Sequence, residues 1–512
     1  MSRNAKILLV LIILLAGFFR FYDFVSTPPG LYPDEAMNGN NALEALRTGD
    51  FKVYYPENNG REGLFINIQA AFLDFFGVNE PWVLRLPSAI FGLLTVLGIF
   101  FLTRELFREN PKLQDSNSKQ ITNVQKLKGS EIWKLGFGNS EVALFASFLM
   151  ATSVWHIIFS RIGFRAIMAP FFIVWTIYFL LRAFHNNSKF HIPNSIFGGV
   201  LFGLGMYTYI AYRVSPVLIF IIILWYWRSA PESRKRIFHA SCFFILASFI
   251  VALPLGLYYL NNPADFLGRT AQVSVFSSPT PLRDLGSNIL KTTGMFNFEG
   301  DGNWRHNFAG RPELFWPVGI FLLAGLTLGI RAVFKKPSSS FSFLILFSWA
   351  FLAALPVFIS NEGLPHALRA ILMIPPVIIL AAAGGIALYN SIKKRTPSFF
   401  LDAAAVIVIV IVMVEPYTTY FTKWARNPNV QGAFAADYVA LGREINALPA
   451  DVPKYVVVEA GGVDVRGVPM PAQTVMFITD SFTPEKRKEK NIHYVLPGAE
   501  NPPLEAKVFH IK

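Results

Sequence analysis

Charge is what this sequence has least of. Only 15% of its 512 residues are Asp, Glu, Lys or Arg, against 53% hydrophobic ones. A soluble globular chain carries about 25% charged residues, so most of this one must face lipid or pack inside a helical bundle. Cysteine is almost missing as well. Cys242 stands alone in an apolar run, which excludes a disulfide framework and a CxxC metal site and says nothing of the redox compartment. There is no Gly-rich nucleotide loop, no Walker motif and no DxD acid pair, so a cytoplasmic, nucleotide-sugar-using transferase is disfavoured. The net charge of +13 does not point to nucleic acid, because the basic residues cluster in short connections between apolar runs. There they act as positive-inside topology signals.

What the chain does have is long hydrophobic runs. Runs of about 17–25 residues cross the hydrocarbon as helices, and about eleven are present: roughly 7–24, 82–103, 141–159, 166–184, 194–211, 214–227, 237–260, 314–334, 342–359, 369–390 and 398–416. The expected fold class is therefore mainly α, a polytopic membrane bundle. Arg3 and Lys6 precede the first run and place the N-terminus in the cytoplasm. The connections this makes cytoplasmic carry Arg104, Arg108, Lys126, Lys128 and Lys134, then Arg228, Arg234, Lys235 and Arg236, then Lys335 and Lys336, then Lys393, Lys394 and Arg395. An odd count puts the termini on opposite sides. The first run is read as a retained signal anchor, since no small-x-small cleavage site follows it and Phe18-Phe19-Arg20-Phe21-Tyr22 continues as an interfacial anchor.

Three regions then face outside: 25–81, 261–313, and the tail from about 419. This divides the chain into a transmembrane domain, 1–418, and a small α/β domain, 419–512. In the tail, Tyr455–Glu459, Val475–Thr479 and His493–Leu496 read as strands, with helices over 431–447 and 484–490.

The sharpest chemical feature is Tyr32-Pro33-Asp34-Glu35, just past the first run. A carboxylate there is solvated enough to ionise and near enough to lipid to meet a membrane-bound substrate, where it can take a proton from an attacking hydroxyl. The plainer alternative is that Asp34 N-caps a helix at 35–47 that ends before Gly49. Arg61, Arg161, Arg165, Arg213 and Arg369 all fall near outer ends of predicted spans, where topology does not call for cations and charge usually marks function. Guanidinium groups suit a lipid-linked phosphate through a planar fork; singly, each is also explained as a snorkelling side chain. Tyr207, Tyr209 and Tyr212 read either as an interfacial belt or as a sugar site. His306 and His366 could ligate metal, but no spacing supports it and surface or cap roles suit them better, and Glu299, Asp301, Trp304 and Arg305 could help hold an acceptor.

Several segments follow one another in a familiar order: Gly30-Leu31-Tyr32-Pro33-Asp34-Glu35-Ala36, Thr48-Gly49-Asp50, Asn59-Gly60-Arg61-Glu62-Gly63 and Glu80-Pro81-Trp82-Val83-Leu84-Arg85-Leu86-Pro87. Together they resemble the first loop and second span of the GT-C glycosyltransferases, of the dolichyl-phosphate-mannose-protein mannosyltransferase and undecaprenyl-phosphate-aminoarabinose transferase type. Ser160–Pro170 and Pro365-His366-Ala367-Leu368-Arg369-Ala370 resemble later stretches of that family. The resemblance covers roughly 1–420 and implies a GT-C fold, a polyprenyl-phosphate sugar donor and inversion at the anomeric carbon. It also implies that Asp34 is the base and that Arg61 stands where the family places a cation on the donor phosphate. One departure matters. Relatives often carry a second acid where this chain has Ala169, so either Glu35 or Glu62 assists Asp34, or one acid suffices.

The expected enzyme thus moves a hexosyl or pentosyl group to a lipid, glycan or protein acceptor at the extracytoplasmic face of the cell membrane. Its catalytic residues are Asp34 and Glu35. Arg61, Glu62, Arg161, Arg165, Tyr209, Arg213, His366 and Arg369 bind substrate. No metal ligands are assigned and no cofactor is named with certainty, with a divalent cation left open. The rivals are a transporter or flippase of a lipid-linked sugar, which would show broken helices at mid-membrane, and a non-catalytic scaffold that keeps the fold.

Overall fold

A computed structural model describes residues 1–108, 139–185, 190–267, 274–335, 340–395, 399–499 and 502–512. The predicted topology signals Lys126, Lys128, Lys134 and Lys336 lie outside these residues. Among the described residues, nine helices are long and apolar enough to cross a membrane: Arg3–Phe21, Pro81–Leu106, Arg165–His185, Ile210–Ser229, Pro231–Asn261, Trp316–Lys335, Phe341–Phe358, Ile371–Lys394 and Phe399–Trp424. The protein is a multi-pass membrane protein.

Two of the eleven predicted spans are helical but shorter than expected. The run at 194–211 forms His191–Gly205 only. The run at 141–159 breaks into Asn139–Thr152 and Val154–Phe159, because Ser153 is extended and its hydroxyl accepts the amide of His156 at 3.3 Å. The carbonyls freed at the break cannot stay bare in an apolar bundle. Arg20 supplies them, donating to Ala151 O at 2.9 Å and Met150 O at 3.2 Å. Arg20 is fully buried, so its expected place at an interface is corrected: it stitches the first span to a broken helix end.

Elsewhere the bundle closes through small residues. A Cβ on Gly325 would lie 2.0 Å from Leu380 O, and one on Gly384 2.1 Å from Phe321 O. Helices Trp316–Lys335 and Ile374–Arg395 therefore touch backbone to backbone.

The first loop folds as a helix, Pro33–Thr48, then a tight hairpin pairing Tyr54–Tyr55 with Arg61–Glu62, then an apolar helix, Leu64–Phe76. The last span continues to Trp424 through a π-helical stretch, Tyr417–Trp424, past the expected division at 418. Beyond it, parallel strands Lys454–Val458, Ile492–Val495 and Lys507–Ile511 form a small sheet with Lys454–Val458 in the middle. Predicted strand Val475–Thr479 is instead a helix, Gln473–Thr479, with every residue buried. A short apolar run buried on all sides has no periodicity to tell the two apart. This tail packs on the first loop: Met37 shares a core with Val475 and Met476, and Phe477 and Ile478 pack with Leu31, Ala36 and Leu43.

Candidate functional site

Three left-handed residues in a row, Asn58 (φ 52°), Asn59 (φ 64°) and Gly60 (φ 78°), turn the first loop back on itself. Asn tolerates this region better than other side-chain-bearing residues, and Gly is at ease in it. At Gly60 a Cβ would also run into the Tyr54 hydroxyl. The turn feeds Arg61 and Glu62 into the hairpin, where successive side chains leave on opposite sides. That alternation builds the site.

On one side is Asp34, half-buried in the first turn of helix Pro33–Thr48, where the helix dipole accommodates negative charge. The N-cap residue is Tyr32, so Asp34 is not the cap that the plainer reading offered. Its Oδ1 accepts from the amide of Asn58. Arg61 is buried beside it, donating to Asn38 Oδ1 at 2.8 Å and Asn41 Oδ1 at 3.0 Å. Burial pushes the Arg61 guanidinium down to about 10, while the Asp34 charge works to raise it and Arg165 to lower it. It stays charged at neutral pH.

On the other side Glu62 gathers two more guanidinium groups: Arg165 Nε lies 2.9 Å from Oε2 and Arg213 Nη2 3.7 Å from Oε1. Arg165 stands over the Tyr209 ring at 6.0 Å, and Arg213 donates to Tyr259 Oη at 2.9 Å and Phe266 O at 2.7 Å. Both arginine side chains keep about a quarter of their surface open, at 22% and 26%. Tyr54 adjoins the cluster; burial first, then the charges of Glu62 and Asp265, push its hydroxyl up to about 12. Asp34 and Arg61 thus stand on one side of the hairpin and Arg165, Tyr209 and Arg213 gather about Glu62 on the other, with Arg61 near enough to feel the charges of both Asp34 and Arg165.

Four expected site residues do not join them. Glu35 is fully buried in a bidentate pair with Arg85, at 2.9 and 3.0 Å, and its Oε1 also accepts the Gly163 amide at 2.6 Å. With both oxygens held, it orients the Asp34 helix and is not placed to assist in proton transfer. Arg161 is enclosed by Phe19, Asp23 and Thr27 carbonyls and the Tyr420 hydroxyl, under the rings of Phe24, Tyr420 and Phe421. It has no surface left for a ligand. Arg369 is held by its own loop through Ser360 and Glu362. His366 turns to Asp301 and stacks on His306, ring centroids 5.0 Å apart. Of the remaining candidates, Tyr207 and Tyr212 are buried in helix packing, while Arg305 sits 3.9 Å over the Tyr32 ring.

The sequence reading missed Arg85 and Asn58. Arg85, a lone cation at the head of an apolar span, carried the signal that charge at membrane depth is paired. Asn58 belongs to an Asn-Asn-Gly turn whose sequence marks a bend but not what its side chain touches.

No family model and no curated protein matches the chain. Solved structures do. The archaeal oligosaccharyltransferase AglB from Archaeoglobus fulgidus, solved with an inhibitory peptide and a dolichol-phosphate, superimposes with a TM-score of 0.55 at 14% identity, over 93% of this chain and 64% of that one. ArnT from Cupriavidus metallidurans, solved with undecaprenyl phosphate, gives 0.55 at 13% identity, over 95% and 89%. The chain spans less than two thirds of the archaeal enzyme's length. Likeness at this level is likeness of architecture, and it agrees with the order of first-loop motifs along the sequence. The chain has the GT-C fold.

Proposed function

We propose that the protein is an inverting glycosyltransferase that moves a sugar from a polyprenyl-phosphate donor to an acceptor at the extracytoplasmic membrane face, with its N-terminus cytoplasmic and residues 419–512 on the side of the site. The observation that carries this is a half-buried carboxylate, Asp34, beside buried Arg61, with Arg61 in turn within reach of the charge of Arg165, which shares Glu62 with Arg213. A phosphate needs converging cations, and an attacking hydroxyl needs a base. Both neighbours solved with a polyprenyl phosphate share the fold, which supports that class of donor.

In the reaction, the acceptor oxygen forms a bond to the anomeric carbon as its proton passes to Asp34. The bond from that carbon to the phosphate oxygen breaks, and its electron pair leaves with the polyprenyl phosphate. Charge growing on the phosphate is met by Arg165 and Arg213, whose open faces are the accessible ones, while buried Arg61 adds its charge near Asp34. Such preorganised cations are worth most where water is partly excluded. Glu62 keeps the two arginines from repelling each other before the donor arrives.

The test is transfer by the purified protein in lipid against a panel of polyprenyl-phosphate sugars, with nucleotide sugars alongside. The expected result is turnover with a polyprenyl-phosphate sugar and none with a nucleotide sugar. Hydrolysis-free binding of every donor without turnover would favour the flippase or scaffold reading instead.

A further inference from the structure

We infer a metal-binding site formed by Asp301, His306 and His366, distinct from the Asp34 cluster. The three residues come from two separate loops, yet one donor atom of each lies within 4.8 Å of the others. His306 Nδ1 is 3.1 Å and His366 Nδ1 3.7 Å from Asp301 Oδ2. A tetrahedral zinc ion, with bonds of about 2.0–2.1 Å, spaces its ligands about 3.3 Å apart. The two separations from Asp301 bracket that value, and all three donor atoms lie within 4.8 Å of one another, so an ion is held once the two imidazoles close on it.

The setting is that of a built site. Asp301 and His306 are buried, and His366 is mostly so. Asp301 is oriented from outside by the Ala367 amide at 2.9 Å on Oδ2, and by the Asn303 amide at 2.8 Å on Oδ1. Partners of this kind fix ligand geometry at metal centres. The His306 ring lies against Phe159 and Phe164, at 5.8 and 6.4 Å between centroids. Two imidazoles and one carboxylate suit a borderline first-row divalent ion such as zinc, not calcium or magnesium, which favour all-oxygen shells.

The ion would tie the loop at 301–306 to the loop at 366. The neighbouring Arg305 stacks on Tyr32, the N-cap of the helix that carries Asp34. The site therefore has a structural place beside the transfer site without being part of it, and its existence does not depend on the transfer reading.

The experiment is metal analysis of the intact protein in detergent or lipid, stripped with chelator and reloaded with Zn²⁺, then with Co²⁺ as a visible-light probe. The expected result is about one zinc per chain, a Co²⁺ absorption band of low-symmetry N/O coordination, and loss of both in His306→Asn and His366→Asn. Less than a tenth of an equivalent in the wild type, or undiminished binding in both variants, overturns the site. Should a variant not fold, the wild-type stoichiometry and Co²⁺ spectrum decide alone.

Discussion

Arg466, in the C-terminal tail, donates to Glu57 at 2.7 Å, one residue before the Asn58 that holds Asp34. The same guanidinium grips Glu44 at 2.7 and 2.8 Å. The tail therefore clamps the turn on which the acid depends, and it does so with a residue whose own backbone is left-handed, φ 53°.

Arg466→Ala should loosen that turn without touching the donor arginines. We expect transfer to fall about 10-fold with donor affinity little changed, a loss of orientation. Parallel measurement of turnover and donor binding checks it; equal losses in both would place Arg466 in binding.

The clamp should also depend on pH. Burial works to raise the Glu57 carboxyl, but hydrogen bonds and charge from Arg466 outweigh it and hold it below the ordinary carboxylate range. A group lowered on folding stabilises above its unfolded pKa, about 4.3, and loses that contribution as pH falls through the lowered value. Protection against hydrogen exchange at 57–61, taken relative to the intrinsic rate at each pH, should therefore fall on acidification below about pH 4. Arg466→Ala should show the lower protection already at pH 7.

The buried pair of Glu35 and Arg85 gives a third expectation. Removing one partner leaves an unpaired buried charge, at a cost of about 3–5 kcal/mol. Arg85→Met should lower the unfolding midpoint and the yield of folded protein far more than Glu62→Gln does. Thermal unfolding in the same detergent compares them.

Much of this was legible in the sequence, and the failures have physical causes. Spans, loops and the order of first-loop motifs follow from hydropathy and from residues such as Pro33, Gly49 and Gly60, whose roles are local. The sequence marks Asp34, Arg61, Glu62, Arg165 and Arg213 one by one as candidates. Which arginines meet was not legible, because that depends on contacts across 100 residues or more, such as Glu62 with Arg165. Arg161 and Arg165 look alike in sequence, four residues apart. One turns into aromatic rings and carbonyls and the other to Glu62. Likewise Asp301, His306 and His366 have no metal-like spacing and meet only in the fold.

The two open arginines should act through the donor. Arg165→Ala and Arg213→Ala should each weaken binding of a polyprenyl phosphate about 10-fold, an effect of about 1.4 kcal/mol. Lysine at either position should restore part of it, since charge returns without the fork. Titration of labelled polyprenyl phosphate into the protein in lipid measures this.

The central claim is that Asp34 takes the acceptor's proton while the arginines hold the donor. The most direct measurement is transfer and donor affinity side by side for Asp34→Asn, which keeps the shape of the side chain beside Asn58. The account predicts donor affinity within about 3-fold of wild type and transfer reduced at least 100-fold, the usual scale of lost general-base catalysis. Wild-type turnover in that variant would contradict it.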